Sequence, residues 1–359
     1  MTEPCVVGFL SDIPSGERMV HYDRIARLAF TTARELGLID FEVDVVSREC
    51  NGLPRGDGDS VVTAYEELVA AGAVAIIGPF VTDNATYLKP VVERLRVPSI
   101  SWCGAATWLG PHTFSLPNGS LQDEGPLLAL YAHSQGHRRI AVIRDDSEIG
   151  DTYWRFFEIA ARRLGINIVS VQAVDRVATD VTAELEAARS AEPDLLVYLG
   201  YGMSLLPMQP YFSQWPVARL ATTAFIFCYR KEYVDAFEGW SGLDQLDPAN
   251  QVRKRFLALS RERLGYEPDF MSATLMWDSA RVLADAFAIG PALTPDGVRE
   301  GLEGVRLLPA ASGGDGTTIS LGPYSHKAWE GTRYLVVGRV EGGVPRFESY
   351  VDAAPPPTT

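Results

Sequence analysis

The 359-residue chain is short of what several function classes require. It has no apolar run near the roughly 18 residues of a membrane-crossing helix. It has no excess of positive charge: 32 Lys and Arg stand against 46 Asp and Glu, for a formal net charge of −14 at pH 7. Such a surface repels phosphate backbones, so nucleic-acid binding is disfavoured. Cysteine is scarce, and Cys5, Cys50, Cys103 and Cys228 are scattered with no CxxC pair. They read as free thiols rather than a disulfide framework. There are only five histidines, and His133 and His137 alone have the i,i+4 spacing of a metal pair. Gly136 lies between them, beside the basic His137-Arg138-Arg139 end of a helix, where cations are at home. No HExxH, GxSxG or P-loop pattern occurs. The expectation is a non-catalytic protein with no metal, no cofactor and no membrane insertion.

What remains is globular: 47% hydrophobic and 22% charged residues. The length exceeds one ordinary core and suits two. Tyr22–Val46 and Tyr153–Gln172 share a layout, an amphipathic helix, a Leu-Gly stop and a β-branched strand. Apolar strand runs at 5–10, 41–46, 73–78 and 98–101 alternate with helical patterns at 19–36, 59–71 and 84–95. A second set at 140–145, 166–171, 194–200 and 218–225 alternates with helices at 121–135, 151–164 and 179–191. Continuous apolar strands between amphipathic helices predict parallel sheets covered on both faces. With right-handed crossovers the fold class is α/β, two doubly wound parallel-sheet lobes. Asp59 and Asp180 read as helix N-caps, and Asp83 either caps a helix, taking the amides an anion would want, or leaves them free. After residue 240 come helices at 248–264, 270–289 and 295–302, then strands TISLG, TRYLVVGRV and RFESYV.

Three segments carry a family resemblance: GAVAIIGPFVTDNATYLKPVVERLRVPSIS, RRIAVIRDDSEIGDTYWRFF and DPANQVRKRFLALSRERLGYEPDFMSATLMWDSARVL. Their order and spacing resemble the type I periplasmic binding proteins, in particular the branched-chain amino-acid (Leu/Ile/Val) receptors of ABC transporters. The resemblance covers nearly the whole chain. It implies two lobes joined by a three-strand hinge, with a ligand cleft between them. Lobe one would be 1–118 plus 248–325 and lobe two 119–247 plus 326–352, with 353–359 a disordered tail. The crossings would fall near 116–121, 242–248 and 323–332.

In a doubly wound lobe the ligand meets loops at the carboxyl ends of strands. Those loops hold Ser11, Phe80, Val81, Thr82, Trp102, Cys103, Gly104 and Ala105 in lobe one, and Ile149, Tyr201, Ala224 and Phe225 in lobe two. The family's two ligand-carboxylate hydroxyls match Thr82 and the backbone-only stretch Gly104–Ala105. Its aromatic beside the second-lobe glycine becomes Ile149. Its acidic residue, which holds the ligand's amino group, falls near Ala224–Phe225. A buried ammonium without a carboxylate partner is costly, so zwitterionic amino acids should be rejected. Aromatics fill the loops instead, with Phe80 and Trp102 foremost and Trp108, Tyr201, Phe225, Phe227 and Tyr229 beside them. For each of these, plain core packing is the competing reading. Asp12 reads equally as a ligand acceptor and as a turn residue. Asn118 and Gln122 either line the cleft or fix the first crossing.

The expected function is binding of a small, largely apolar or aromatic metabolite, carboxylated or not, as the solute-binding component of an ABC-type uptake system. The alternative is a cytosolic sensor on the same scaffold, acting through a partner protein. The partners are then a small molecule and either a permease or a regulatory protein, and the fold allows a homodimer through first-lobe helices. Met1–Pro4 leads at once into CVVGFL, which reads as a cytoplasmic start. Cys5 lies where a lipoprotein anchor would sit after trimming of an export segment, which would make the protein periplasmic or extracellular.

Overall fold

A computed structural model describes residues 5–13, 18–231, 233–268, 270–329 and 333–352. The expectations for Met1–Pro4, loop residues 14–16, crossing residues 330–332 and the tail 353–359 lie outside the described residues. The chain divides into two compact units, Met1–Asn118 with Pro248–Glu330, and Gly119–Asp247 with Gly331–Thr359.

The first unit begins with β1 (Cys5–Ser11), α1 (Arg18–Glu35), β2 (Val43–Glu49), α2 (Gly58–Ala70), β3 (Ala73–Ile77), α3 (Thr82–Leu95), β4 (Ser99–Ser101) and β5 (Thr113–Ser115). These strands form one parallel sheet in the order β2-β1-β3-β4-β5. The second unit takes α4 (Glu124–Ser134), β6 (Arg139–Asp145), α5 (Glu148–Arg163), β7 (Asn167–Val174), α6 (Thr182–Ser190), β8 (Leu195–Leu199), β9 (Ala218–Ala221) and β10 (Trp240–Asp244). The chain then returns to the first unit as α7 (Gln251–Leu264), α8 (Met271–Ile289), α9 (Pro295–Leu302) and the small pair β11 (Leu308–Pro309) and β12 (Thr318–Ile319). It ends in the second unit as β13 (Val336–Glu341) and β14 (Val344–Tyr350). The second sheet runs β14-β13-β10-β9-β8-β6-β7, antiparallel only at the β10–β13 and β13–β14 pairs.

The central strands are buried on both faces, Val7, Phe9 and Leu10 in one sheet and Ile140–Ile143 and Leu195–Leu199 in the other. That is what covering helices demand of a parallel sheet. The Leu-Gly stops fall in the left-handed region, Gly37 at φ +72° and Gly165 at φ +70°, where a side chain would be strained. Helix α8 is buried on nearly all sides, and Phe287 near its end stacks on Phe30 of α1.

Several local expectations are corrected. Asp57, not Asp59, caps α2, accepting from the Ser60 amide at 2.7 Å. Asp83 lies inside the first turn of α3, and Val81 holds the cap position. Val181 holds the cap position of α6, but Asp180 still accepts from the Thr182 amide at 3.0 Å. The strand expected at 218–225 stops at Ala221. There Thr222 turns its hydroxyl to the Gly200 carbonyl and accepts from the Ala224 amide, starting a 3-10 turn over Thr223–Tyr229. Strands β5 and β10 went unread because Thr113–Ser115 is only three residues and Trp240–Asp244 carries Ser and Gly in place of branched residues. A 3-10 segment, Met203–Ser213, links β8 to β9, with Pro207 and Pro210 inside it. Residues 326–329, assigned to the second lobe from sequence, belong to the first unit. Ser115 donates its amide to the His326 carbonyl at 2.8 Å, and Ala328 donates to the Ser115 carbonyl at 2.9 Å.

Candidate functional site

In the first unit Asp12, at the carboxyl end of β1, bonds to the segments that follow β2 and β3. Its side chain is fully buried. Oδ1 accepts from the Phe80 amide at 2.8 Å, and Oδ2 accepts from the Val81 amide at 3.0 Å and from Asn84 Nδ2 at 2.8 Å. Asn84 in turn accepts from the Leu53 amide at 2.8 Å. Burial pushes the Asp12 carboxyl pKa up, against the downward pull of these donors. Asp12 is therefore neither a ligand acceptor nor a simple turn residue. It braces the loop Phe80–Thr82 from the neighbouring strand.

Trp102 follows β4 directly, Phe80 comes three residues after β3, and the two rings lie flat on each other, centroids 4.0 Å apart and planes 10° from parallel. Trp102 is the inner ring. It is 3% exposed and donates Nε1–H to Ser279 Oγ on α8 at 3.0 Å. Tyr22 of α1 sits edge-on to Trp102, and its hydroxyl pairs with Ser272. Phe80 is the partly exposed outer ring. Thr82 opens α3 with its side chain half-buried, and no described residue is recorded as a partner of its hydroxyl. Val81 and Ser11 are buried, and the Ser11 hydroxyl donates to the Ile13 carbonyl. Cys103 is buried, its thiol pKa pushed up to about 12 by burial, so it offers no thiolate. Gly104 is half-buried and Ala105 buried at the turn that follows. Trp108 is core, with Nε1–H given to the Phe114 carbonyl. Asn118 donates its amide to the Trp102 carbonyl at 2.8 Å, while its buried Oδ1 has no partner among the described residues. Gln122 is exposed.

The second unit repeats the brace. Asp145 ends β6, buried, and accepts from the Tyr201 amide at 2.7 Å just after β8. It also accepts from Tyr198 Oη and Ser204 Oγ, each at 2.8 Å. Burial again raises its pKa above the usual carboxylate range. Asp12 and Asp145 thus stand at matching places: the end of one strand, holding the loop of the strand beside it. Gly150 and Gly200 make room for this, since a Cβ on Gly150 would lie 2.0 Å from the Asp145 carbonyl oxygen and one on Gly200 2.4 Å from its carboxylate.

Tyr201 is half-buried and edge-on to Phe227 at 5.2 Å. Ile149 is buried in the first turn of α5, which Ser147 caps. Ala224 is buried, and Phe225 is wholly core, its ring against the bare faces of Gly242 and Gly338. Tyr229 donates its hydroxyl to Asp244. His137 lies 3.5 Å from Asp194, and Arg138 holds the His133 carbonyl, so this pair finishes a helix. Among the described residues no group of three His, Cys, Asp or Glu gathers as a metal site.

Sequence reasoning missed Glu124. It opens α4, is fully buried, and accepts from the Thr223 amide at 2.7 Å, the Thr223 hydroxyl at 3.0 Å and Tyr153 Oη at 2.8 Å. Burial pushes its pKa up to about 7. Asp12 and Asp145 were signalled only as acidic residues at the ends of apolar runs, and Glu124 carried no signal beyond its place in a helical pattern.

The fold recurs in known proteins. The family model described as "Periplasmic binding protein" matches residues 26–331. The leucine-binding protein LivK of Thermotoga maritima is 20% identical with a TM-score of 0.78, over 96% of this chain and 98% of that one. A branched-chain amino-acid ABC transporter protein of Thermus thermophilus, solved with valine, is 18% identical with a TM-score of 0.71, over 97% and 96%. LivJ of Streptococcus pneumoniae, solved with isoleucine, is 15% identical with a TM-score of 0.78, over 97% and 100%. No curated protein matches the chain significantly. With a doubled parallel α/β architecture, braced strand-end loops and a family match across most of its length, the chain belongs to the periplasmic binding protein family, which binds solutes without converting them.

Proposed function

We infer that this protein captures a small, largely apolar or aromatic solute for an ABC-type uptake system. The observation that carries the ligand class is the Phe80–Trp102 stack, whose outer ring is left partly exposed. A flat apolar ligand gains area against such a ring, at about 25 cal/mol per Å² buried. The Thr82 hydroxyl and the backbone of Gly104–Ala105 supply donors for one carboxylate or hydroxyl. Within the second unit, the same reading assigns the solute to Ile149 and Tyr201 at the strand-end loops. The segment where the family carries its ammonium partner holds Thr223, Ala224 and Phe225, none of them acidic. Among the described residues the carboxylate bonded to it is Glu124, which is already engaged by Thr223 and Tyr153.

A thermal-shift screen tests this. Aromatic or polycyclic acids should raise the melting temperature, and leucine, isoleucine and valine should not. A second reading, a branched-chain amino acid, is favoured by the relatives solved with valine and isoleucine. A clear leucine shift would establish it in place of the first. A permease partner and a homodimer through first-unit helices belong to the same proposal, read by co-purification and by sedimentation. Recovery of the protein only from the cytosolic fraction would favour the sensor role instead.

A further inference from the structure

One buried acid takes no part in the proposed solute contacts. Glu124 lies in the second unit, where α4, α5 and the Thr223–Tyr229 turn meet. Its carboxyl group is wholly out of water and faces only neutral donors: the Thr223 amide and hydroxyl and the Tyr153 hydroxyl. The next charged or titratable groups are Asp123, which precedes it, and Tyr334, whose hydroxyl donates to Asp123 at 3.1 Å. Among the described residues no Lys, Arg or His forms an ion pair with it. Gly119 packs closely on the carboxyl group, where a Cβ would stand 2.0 Å from Oε1. Tyr153 and Tyr334 have pKa values raised well above the usual phenol range and stay neutral.

We propose that Glu124 is a proton-operated clamp on the Thr223–Tyr229 segment, closed when its carboxyl carries the proton and loosened when it is ionised. The argument is one of linkage. A carboxylate with no cation, beside a second carboxylate, is poorly solvated in the closed segment and well solvated once the segment opens. The closed form therefore holds the proton more tightly than the open form, in keeping with a closed-state pKa of about 7. Raising the pH through that value favours opening. The protonated acid still fits its site, since one oxygen accepts from the Thr223 amide while the acid proton goes to a hydroxyl oxygen, either hydroxyl being able to rotate. Glu124 is a positioning residue. Its consequence for binding, a solute held more firmly on the acid side of neutrality, rests on the proposed function, in which this segment stands where the family carries its ammonium partner.

The test needs no ligand. Amide hydrogen exchange of the ligand-free protein is followed over residues 222–229, corrected for intrinsic rates, between about pH 6 and pH 8. Opening of the wild-type segment should rise roughly tenfold over that range. Glu124→Gln, which matches the protonated acid in shape and hydrogen bonding, should be protected and flat throughout. Tyr153→Phe removes one donor to the ionised form and should steepen the wild-type response. A flat wild-type profile, or an equal slope in Glu124→Gln, overturns the clamp. Failure of the ligand screen alone would leave these profiles unchanged, so the two readings fail separately.

Discussion

Trp102 is roofed by Phe80 and anchored beneath by Ser279, so the two aromatics do different work although both follow strand ends. Phe80→Ala should weaken solute binding by about 1–3 kcal/mol and shift Trp emission to the red as Trp102 is uncovered. Trp102→Ala should instead cost about 3–5 kcal/mol of stability, the range for removing a buried aromatic. Calorimetric binding and urea titrations of both variants separate these effects. Unchanged binding in Phe80→Ala removes that ring from the site.

Asp12→Ala would leave the Phe80 and Val81 amides and the Asn84 side chain without their acceptor. Each stranded buried donor costs about 1–3 kcal/mol, so the first unit should lose several kcal/mol of stability and exchange at residues 80–84 should rise steeply. Asp145→Ala should do the same to residues 198–204 while leaving the first unit's amides protected. An effect spread evenly over both units would contradict local bracing.

Glu124 also sets a pH dependence of global stability. Its folded pKa of about 7 stands above its ordinary value of 4.5. The folded state therefore binds the proton more tightly than the unfolded state. The resulting stabilisation is complete below about pH 4.5 and is lost as the pH rises through about 7. The full span is about 3 kcal/mol. Melting temperatures measured from about pH 5 to pH 8 should fall, and Glu124→Gln should remove that part of the fall and gain stability at the alkaline end.

Two glycines give contrasting tests. Gly150→Ala drives a Cβ into the Asp145 carbonyl oxygen, where backbone must move, and should cost several kcal/mol in the second unit. Gly136→Ala meets nothing within 4 Å and should cost only the left-handed strain at φ +87°, about 1 kcal/mol. Denaturant midpoints distinguish the two outcomes.

The sheets were legible because continuous apolar runs such as IAVIRD and DLLVYLG leave few alternatives, and the Leu-Gly stops mark helix ends by a backbone requirement. The site was less legible. Phe225 and Phe80 look alike in sequence, yet one packs on Gly242 and Gly338 and the other stays partly open. That difference is made by partners far along the chain. The acids were hidden for the same reason. Asp12 acts on residues 80–84, Asp145 on 198–204 and Glu124 on 223 and 153, and no local pattern reports bonds across such separations. The strand at 240–244 was lost to its Ser and Gly, and Gly242 makes room for the Phe225 ring rather than following a β-propensity rule.

The terminal hairpin has a practical side. Strand β13 lies between β10 and β14, and Tyr334 and Tyr350 tie its two flanks to Asp123 and Asp247. A polypeptide stopped before Val336 would strip β10 of its antiparallel neighbour and bare a hydrophobic edge, a template for clumping between molecules. A reporter dye or affinity handle belongs beyond residue 352, where it leaves both ties in place.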